Sequence, residues 1–116
     1  MNNEANNWVN SFPGAITVCD TKGNILEMNE KSEIVFMGDG GKELIGMNLL
    51  ACHPGPARLK LEKLMQDKEI NIYTIEKNGK KKLIYQTPWY KNGDYAGFIE
   101  LSIEIPFEIP HFVRDY

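Results

Sequence analysis

Apolar and polar positions along this chain change period twice. Residues 15–20 and 24–28 read as short strands flanking a Lys22-Gly23 turn, the pattern of a β-hairpin. From Asn29 to about Lys68 the spacing becomes helical. Asn29 is a suitable N-cap for a helix over 30–37 that buries Ile34 and Val35 and stops at Gly38. A short helical segment over 42–50 is interrupted at Gly46. Pro56 suits the first turn of a longer helix, which runs to about Asp67 with Leu61, Leu64, Met65 and Lys68 on one face. Strand-like runs return at 70–77, 81–90 and 95–104, joined by Asn78-Gly79 and Asn92-Gly93. Trp8, Val9 and Phe12 predict a short cap helix before Pro13. The expected architecture is α+β, a five-stranded antiparallel sheet with short helices packed on one face and a cavity between them. Residues 1–12 form the cap, 13–105 the domain, and 106–116 an apolar tail.

Composition narrows the classes of function. The 116 residues suffice for one domain, and 42% hydrophobic with 25% charged residues is ordinary for a globular protein. A net charge of −3 gives no electrostatic reason to expect nucleic acid or an anionic membrane. Lys80-Lys81-Lys82 follows a hairpin turn and reads as a solvated strand end. The Asn-rich N-terminus has no apolar core of a signal peptide, and no stretch approaches the length of a membrane span. Cys19 and Cys52 form no CxxC and read as reduced thiols of a cytoplasmic protein.

Five segments, in order, resemble the PAS domain, a small sensory and interaction fold of signalling proteins. Phe12-Pro13-Gly14-Ala15-Ile16-Thr17-Val18-Cys19-Asp20 is similar to the family's opening strand and its closing Asp. Lys22-Gly23-Asn24-Ile25-Leu26-Glu27-Met28-Asn29 resembles the following turn, strand and helix-capping Asn. Lys42-Glu43-Leu44-Ile45-Gly46-Met47-Asn48 resembles the "eelIGkn" segment, and Cys52-His53-Pro54 falls where many members read "ihp". Asn92-Gly93-Asp94-Tyr95-Ala96-Gly97-Phe98 resembles the last turn and strand. The resemblance spans about Phe12 to Ile105.

The resemblance implies a pocket without fixing its occupant, so the cofactor is left unknown. Flavin-type light sensors of the family carry a reactive Cys where this chain has Leu49, and a Gln on the last strand where it has Ile99. Haem-binding members place a proximal His where it has Leu61, and iron needs an imidazole or thiolate that Leu cannot supply. Both the flavin adduct and proximal-His haem are therefore disfavoured. Haem held by His53 is a minor alternative. A metal site needs three or four ligands, and the only other His is His111 in the tail. Cys52 and His53 are sequence neighbours whose side chains diverge, and the acids form no cluster, so neither a catalytic residue nor an enzyme is expected.

By resemblance, the inward pocket positions are Thr17 and Cys19 on the first strand, Thr74 on the third, and Ile99 and Leu101 on the last. Phe36, Met47 and Leu50 are expected on the helical wall. Two phases compete on strand 81–90: apolarity turns Leu83, Tyr85 and Trp89 inward, whereas counting back from Pro88 turns Ile84 and Gln86 inward. A one-residue slip exchanges the two, and Tyr85 and Gln86 are its polar candidates. Such a lining suits a small apolar or amphipathic ligand. The competing expectation is a filled core and a ligand-free interaction module, with Phe98 and Trp8 as interface anchors. Pro106 and Pro110 forbid a continuous signalling helix after the last strand. The chain is therefore expected to be a stand-alone module, a homodimer acting in trans on a signalling protein. Ile105, Phe107, Ile109 and Phe112 are expected to pack on the domain's own sheet or on a second copy.

Overall fold

The computed structural model describes residues 7–52 and 55–115. Five strands, β1 (Ala15–Cys19), β2 (Ile25–Met28), β3 (Asn71–Lys77), β4 (Lys80–Lys91) and β5 (Asp94–Ile105), form one sheet in the order β2-β1-β5-β4-β3. Every neighbouring pair is antiparallel. The β3–β4 and β4–β5 turns place Asn78 and Gly79, and Asn92 and Gly93, at positive φ. That is the backbone of a two-residue hairpin turn whose twist matches its strands.

The connection from β2 to β3 crosses from one edge of the sheet to the other and carries α2 (Glu30–Val35), two 3₁₀ turns (Met37–Asp39 and Gly41–Leu44), α3 (Leu49–Cys52) and α4 (Gly55–Asp67). The first helix therefore ends before Gly38. Segment 46–48 lies along β2, with Gly46 N–H donating to Ile25 O (2.7 Å) and Ile25 N–H to Met47 O (2.8 Å). A short N-terminal helix, α1 (Asn7–Ser11), lies at the opposite face, where Trp8, Val9 and Phe12 line a groove with Ile16, Val18, Tyr85 and Leu101.

One core cluster joins Cys19, Met65 and Phe98, with Leu49, Leu50, Leu61, Leu64 and Tyr95 packed around it. It pins the C-terminal half of α4: Tyr95 Oη donates to Met65 O (3.3 Å) and Lys68 Nζ lies 5.1 Å from the Tyr95 ring centre. The N-terminal turns of α4, residues 55–60, are exposed, Leu59 at 68%.

The tail departs from one arm of its expectation. Phe107, Ile109, Phe112 and Val113 are all more than half exposed, so they do not pack on the domain's own sheet. Among the described residues no strand pairing continues beyond Ile105. A hydrogen bond from Lys81 Nζ to Phe107 O (3.5 Å) is the tail's link to β4 among the described residues.

Candidate functional site

Asn29 organises the closed end of the site. It is fully buried, its Oδ1 accepts from Ile16 N–H (2.9 Å) and Ser32 N–H (3.0 Å), and its Nδ2 donates to Gly14 O (2.9 Å) and Val9 O (3.0 Å). One amide thus caps α2 and ties it to β1 and α1, with all four hydrogen-bonding positions used. Beside it, the buried hydroxyls of Thr17 and Ser32 share a hydrogen bond.

A second polar staple fixes the β1–β2 turn. Asp20 Oδ1 accepts from Lys22 N–H and Asn24 N–H (both 2.9 Å), and Oδ2 from Asn24 Nδ2 (3.2 Å). Burial works to raise its pKa, but the hydrogen bonds from Asn24 and Lys22 and the Lys22 charge hold the carboxyl below the ordinary range. Asn48 carries the link onward, donating to Lys22 O and Asn24 Oδ1 while accepting from Leu50 N–H and Ala51 N–H at the start of α3.

Between the sheet and the helices lies a cavity of about 460 Å³, within the usual range for small-molecule sites. Its walls are mostly apolar: Ile25, Met28, Val35, Phe36, Leu44, Leu49, Leu61, Leu64, Ile84 and Phe98. A polar row crosses its floor. Asn71, Gln86, Glu100 and Thr17 are in register across four strands, with Asn71 Nδ2 donating to Gln86 Oε1 (2.9 Å) and Gln86 Nε2 to Glu100 Oε1 (3.1 Å). Cys19 lies one register step further along β1. Burial is the main cause pushing its thiol pKa up, opposed by a hydrogen bond from the Phe98 backbone, so it remains a neutral thiol at ordinary pH. Lys60, Lys77 and Lys82 also line the cavity, on the side toward the β3–β4 turn.

Of the residues singled out from sequence, Thr17, Cys19, Phe36 and Gln86 line this cavity. Ile99 borders both it and the outer groove. The others are placed elsewhere. Leu101 and Tyr85 line the outer groove, because β5 turns Phe98, Glu100 and Ser102 toward the helices and β4 follows with Ile84 and Gln86. Thr74 pairs with Leu83 on the outer face and is exposed, while Tyr73 and Ile75 face the cavity. Met47 is half exposed because its backbone pairs with β2. Leu50 packs in the Cys19–Met65–Phe98 core, and Leu49 takes the wall position.

The two phases proposed for 81–90 resolve in favour of Ile84 and Gln86, and a register shift at Trp89/Tyr90 ends that phase. Sequence reasoning missed Glu100, Asn71 and Ser102. Their signal was polar residues at alternate positions of strands that also carry an apolar face. Leu61, at the position of the haem-ligating His in the resembling family, lines the cavity with an aliphatic side chain. The Cys52 side chain and His53 lie outside the described residues. Among the described residues, no three of His, Cys, Asp and Glu are grouped to hold a metal, and no helix is long and apolar enough to cross a membrane.

No family model and no curated protein matches the chain. Solved structures do match its fold. A C-terminal domain from Streptococcus mutans superposes with a TM-score of 0.71 at 20% identity, over 87% of this chain and 82% of that one. The Aer2 receptor of Vibrio cholerae, a dual PAS-haem oxygen sensor, gives 0.61 at 14% identity, over 80% and 95%. The PAS domain of BvgS from Bordetella pertussis gives 0.60 at 20% identity, over 84% and 81%. The fold of this chain is the PAS fold, as in sensor kinases and receptors.

Proposed function

We propose that this PAS-fold chain is a sensory module that takes a small molecule into the cavity and passes its occupancy in trans to a signalling partner. The observation that carries the reading is the cavity of about 460 Å³, apolar on its walls and crossed by a polar row from Asn71 to Glu100. A few placed polar groups in an otherwise apolar lining are what orient small ligands.

Strand β5 supplies a route outward. Glu100 lines the cavity while its neighbours Ile99 and Leu101 line the groove beneath α1. A ligand that favours one position of β5 therefore biases the opposite face, provided it binds the two positions with different affinity. On this reading the module is a cytoplasmic homodimer, and the outer face meets the second copy.

A second reading is supported by that outer face itself. Trp8 is 70% exposed beside an apolar groove, as a ligand-free interaction module would have it. Native mass spectrometry of the full chain as purified separates the two. A defined extra mass per protomer is expected of the sensor. A bare dimer that also fails to take up any compound from a metabolite library would overturn it in favour of the interaction module.

A further inference from the structure

The cavity has a charge asymmetry along its length. Toward the β3–β4 turn it is lined by Lys60 of α4, Lys77 of β3 and Lys82 of β4. Among the described residues none of the three makes an ion pair. Lys80 stands beside them and Glu104 opposite Lys82 in register, with Glu104 Oε1 3.4 Å from Lys80 Nζ. Among the described residues, Lys77, Lys80 and Lys82 thus gather at this end, the lip, with Glu104 as the carboxylate beside them, and Lys60 follows on α4. Lys60 Nζ lies 6.0 Å from the ring centre of Tyr73, which pairs with Ile84, so this cation sits between α4 and β3 one register step inward of Lys82.

Further in, the lining is aliphatic and aromatic through Ile84, Leu61 and Met28, and ends at the row containing Gln86 and Glu100. Lys82 and Gln86 are four residues apart on one strand, which is about 13 Å at about 3.3 Å per residue. An anion seated by Glu100 would face a carboxylate, whereas one seated at the lip faces only partly neutralised lysines. Low-dielectric walls strengthen that preference, and salt weakens it at the exposed lip.

We infer, resting on the ligand-binding reading above, that the cavity takes an amphipathic monocarboxylate of medium length. Its carboxylate sits among Lys60, Lys77 and Lys82, and its apolar body runs inward to stop at the polar row. The lysines act as an electrostatic gate at the entrance, and the row from Asn71 to Glu100 sets the length limit.

Titrations of the full chain with decanoate, decanol and decylamine, followed by amide chemical shifts, test this directly. Decanoate is expected to bind at least about tenfold more tightly than the other two, about 1.4 kcal/mol, with shifts at Met28, Leu61 and Ile84. The Lys60→Gln/Lys77→Gln/Lys82→Gln variant should bring decanoate to the affinity of decanol and leave decanol unchanged. In the unaltered chain, added salt should weaken decanoate and not decanol, a readout that does not depend on the variant folding. Equal affinities of decanoate and decanol at these residues would overturn the charge selection while leaving the ligand-binding reading intact. Silence from all three probes would overturn the inference and withdraw the cavity's support for that reading.

Discussion

At the β1–β2 end of the sheet, Cys19, Met28, Asn29 and Ser32 are each at most 2% exposed, whereas on β3 Ile72, Tyr73 and Ile75 are 53%, 41% and 38% exposed. The first end is closed by the Asn29 amide, whose four bonding positions are filled, and by the hydrogen-bonded hydroxyls of Thr17 and Ser32. The second is an edge strand, paired with β4 and facing the exposed N-terminal turns of α4. A buried, satisfied polar network specifies one arrangement and is costly to disturb, while sparse packing gives local opening a low free energy. The cavity lies between them, so its inner wall is rigid and its entrance is the part that can yield.

The largest effect should come from Gly97→Ala at the closed end. Gly97 has φ of +141°, and a Cβ there would overlap the Cys19 carbonyl oxygen. We expect a loss of about 4 kcal/mol or more, read as a urea midpoint, since both the backbone conformation and the β1–β5 approach are violated. Next comes Asn29→Ala, which removes the partner of the Ile16 and Ser32 N–H groups and of the Gly14 and Val9 carbonyls. A loss of about 3 kcal/mol is expected, and a loss below that of a surface substitution would show that water replaces the amide.

The Cys19 thiol gives a smaller, pH-dependent test. Its pKa is raised in the folded state, chiefly by burial, so the unfolded chain ionises first as pH rises and then binds fewer protons than the native one. Stability is therefore present below the ordinary thiol pKa and falls as pH climbs through it toward the folded value. Urea midpoints from pH 7 to 10 should decline in a Cys52→Ser background, and this component should vanish when Cys19→Ala is added. Smallest of all, Ile72→Thr on exposed β3 should change stability by less than about 0.5 kcal/mol. A change as large as that of Asn29→Ala would erase the contrast between the two ends.

The fold was legible because its punctuation is local. Asn78-Gly79 and Asn92-Gly93 set two hairpins, and Asn29 announced both a helix start and the end of β2. The facing of residues within the cavity was less legible. Ile99, Leu101 and Ile103 form the more apolar phase of β5, and apolarity alone assigns them inward. Leu101 instead lies with α1 on the other face, because this sheet is covered on both sides at its centre. The cavity floor took the polar phase, Glu100 and Ser102, which a sequence reader assigns to water. Met47 was misplaced for a different reason: its backbone hydrogen bonds to β2, a long-range pairing that leaves no periodic trace.

Trp89 pairs with Gly97, and its indole Nε1 donates to Cys19 O at 3.0 Å. The chain therefore contains two optical reporters with opposite surroundings, because Trp8 is open to solvent at the cap. Excitation of a Trp8→Phe protein isolates the indole that is hydrogen-bonded to the end of β1, next to the thiol that borders the cavity. Its emission would follow the inner wall alone, and the difference from the two-tryptophan protein would follow the cap.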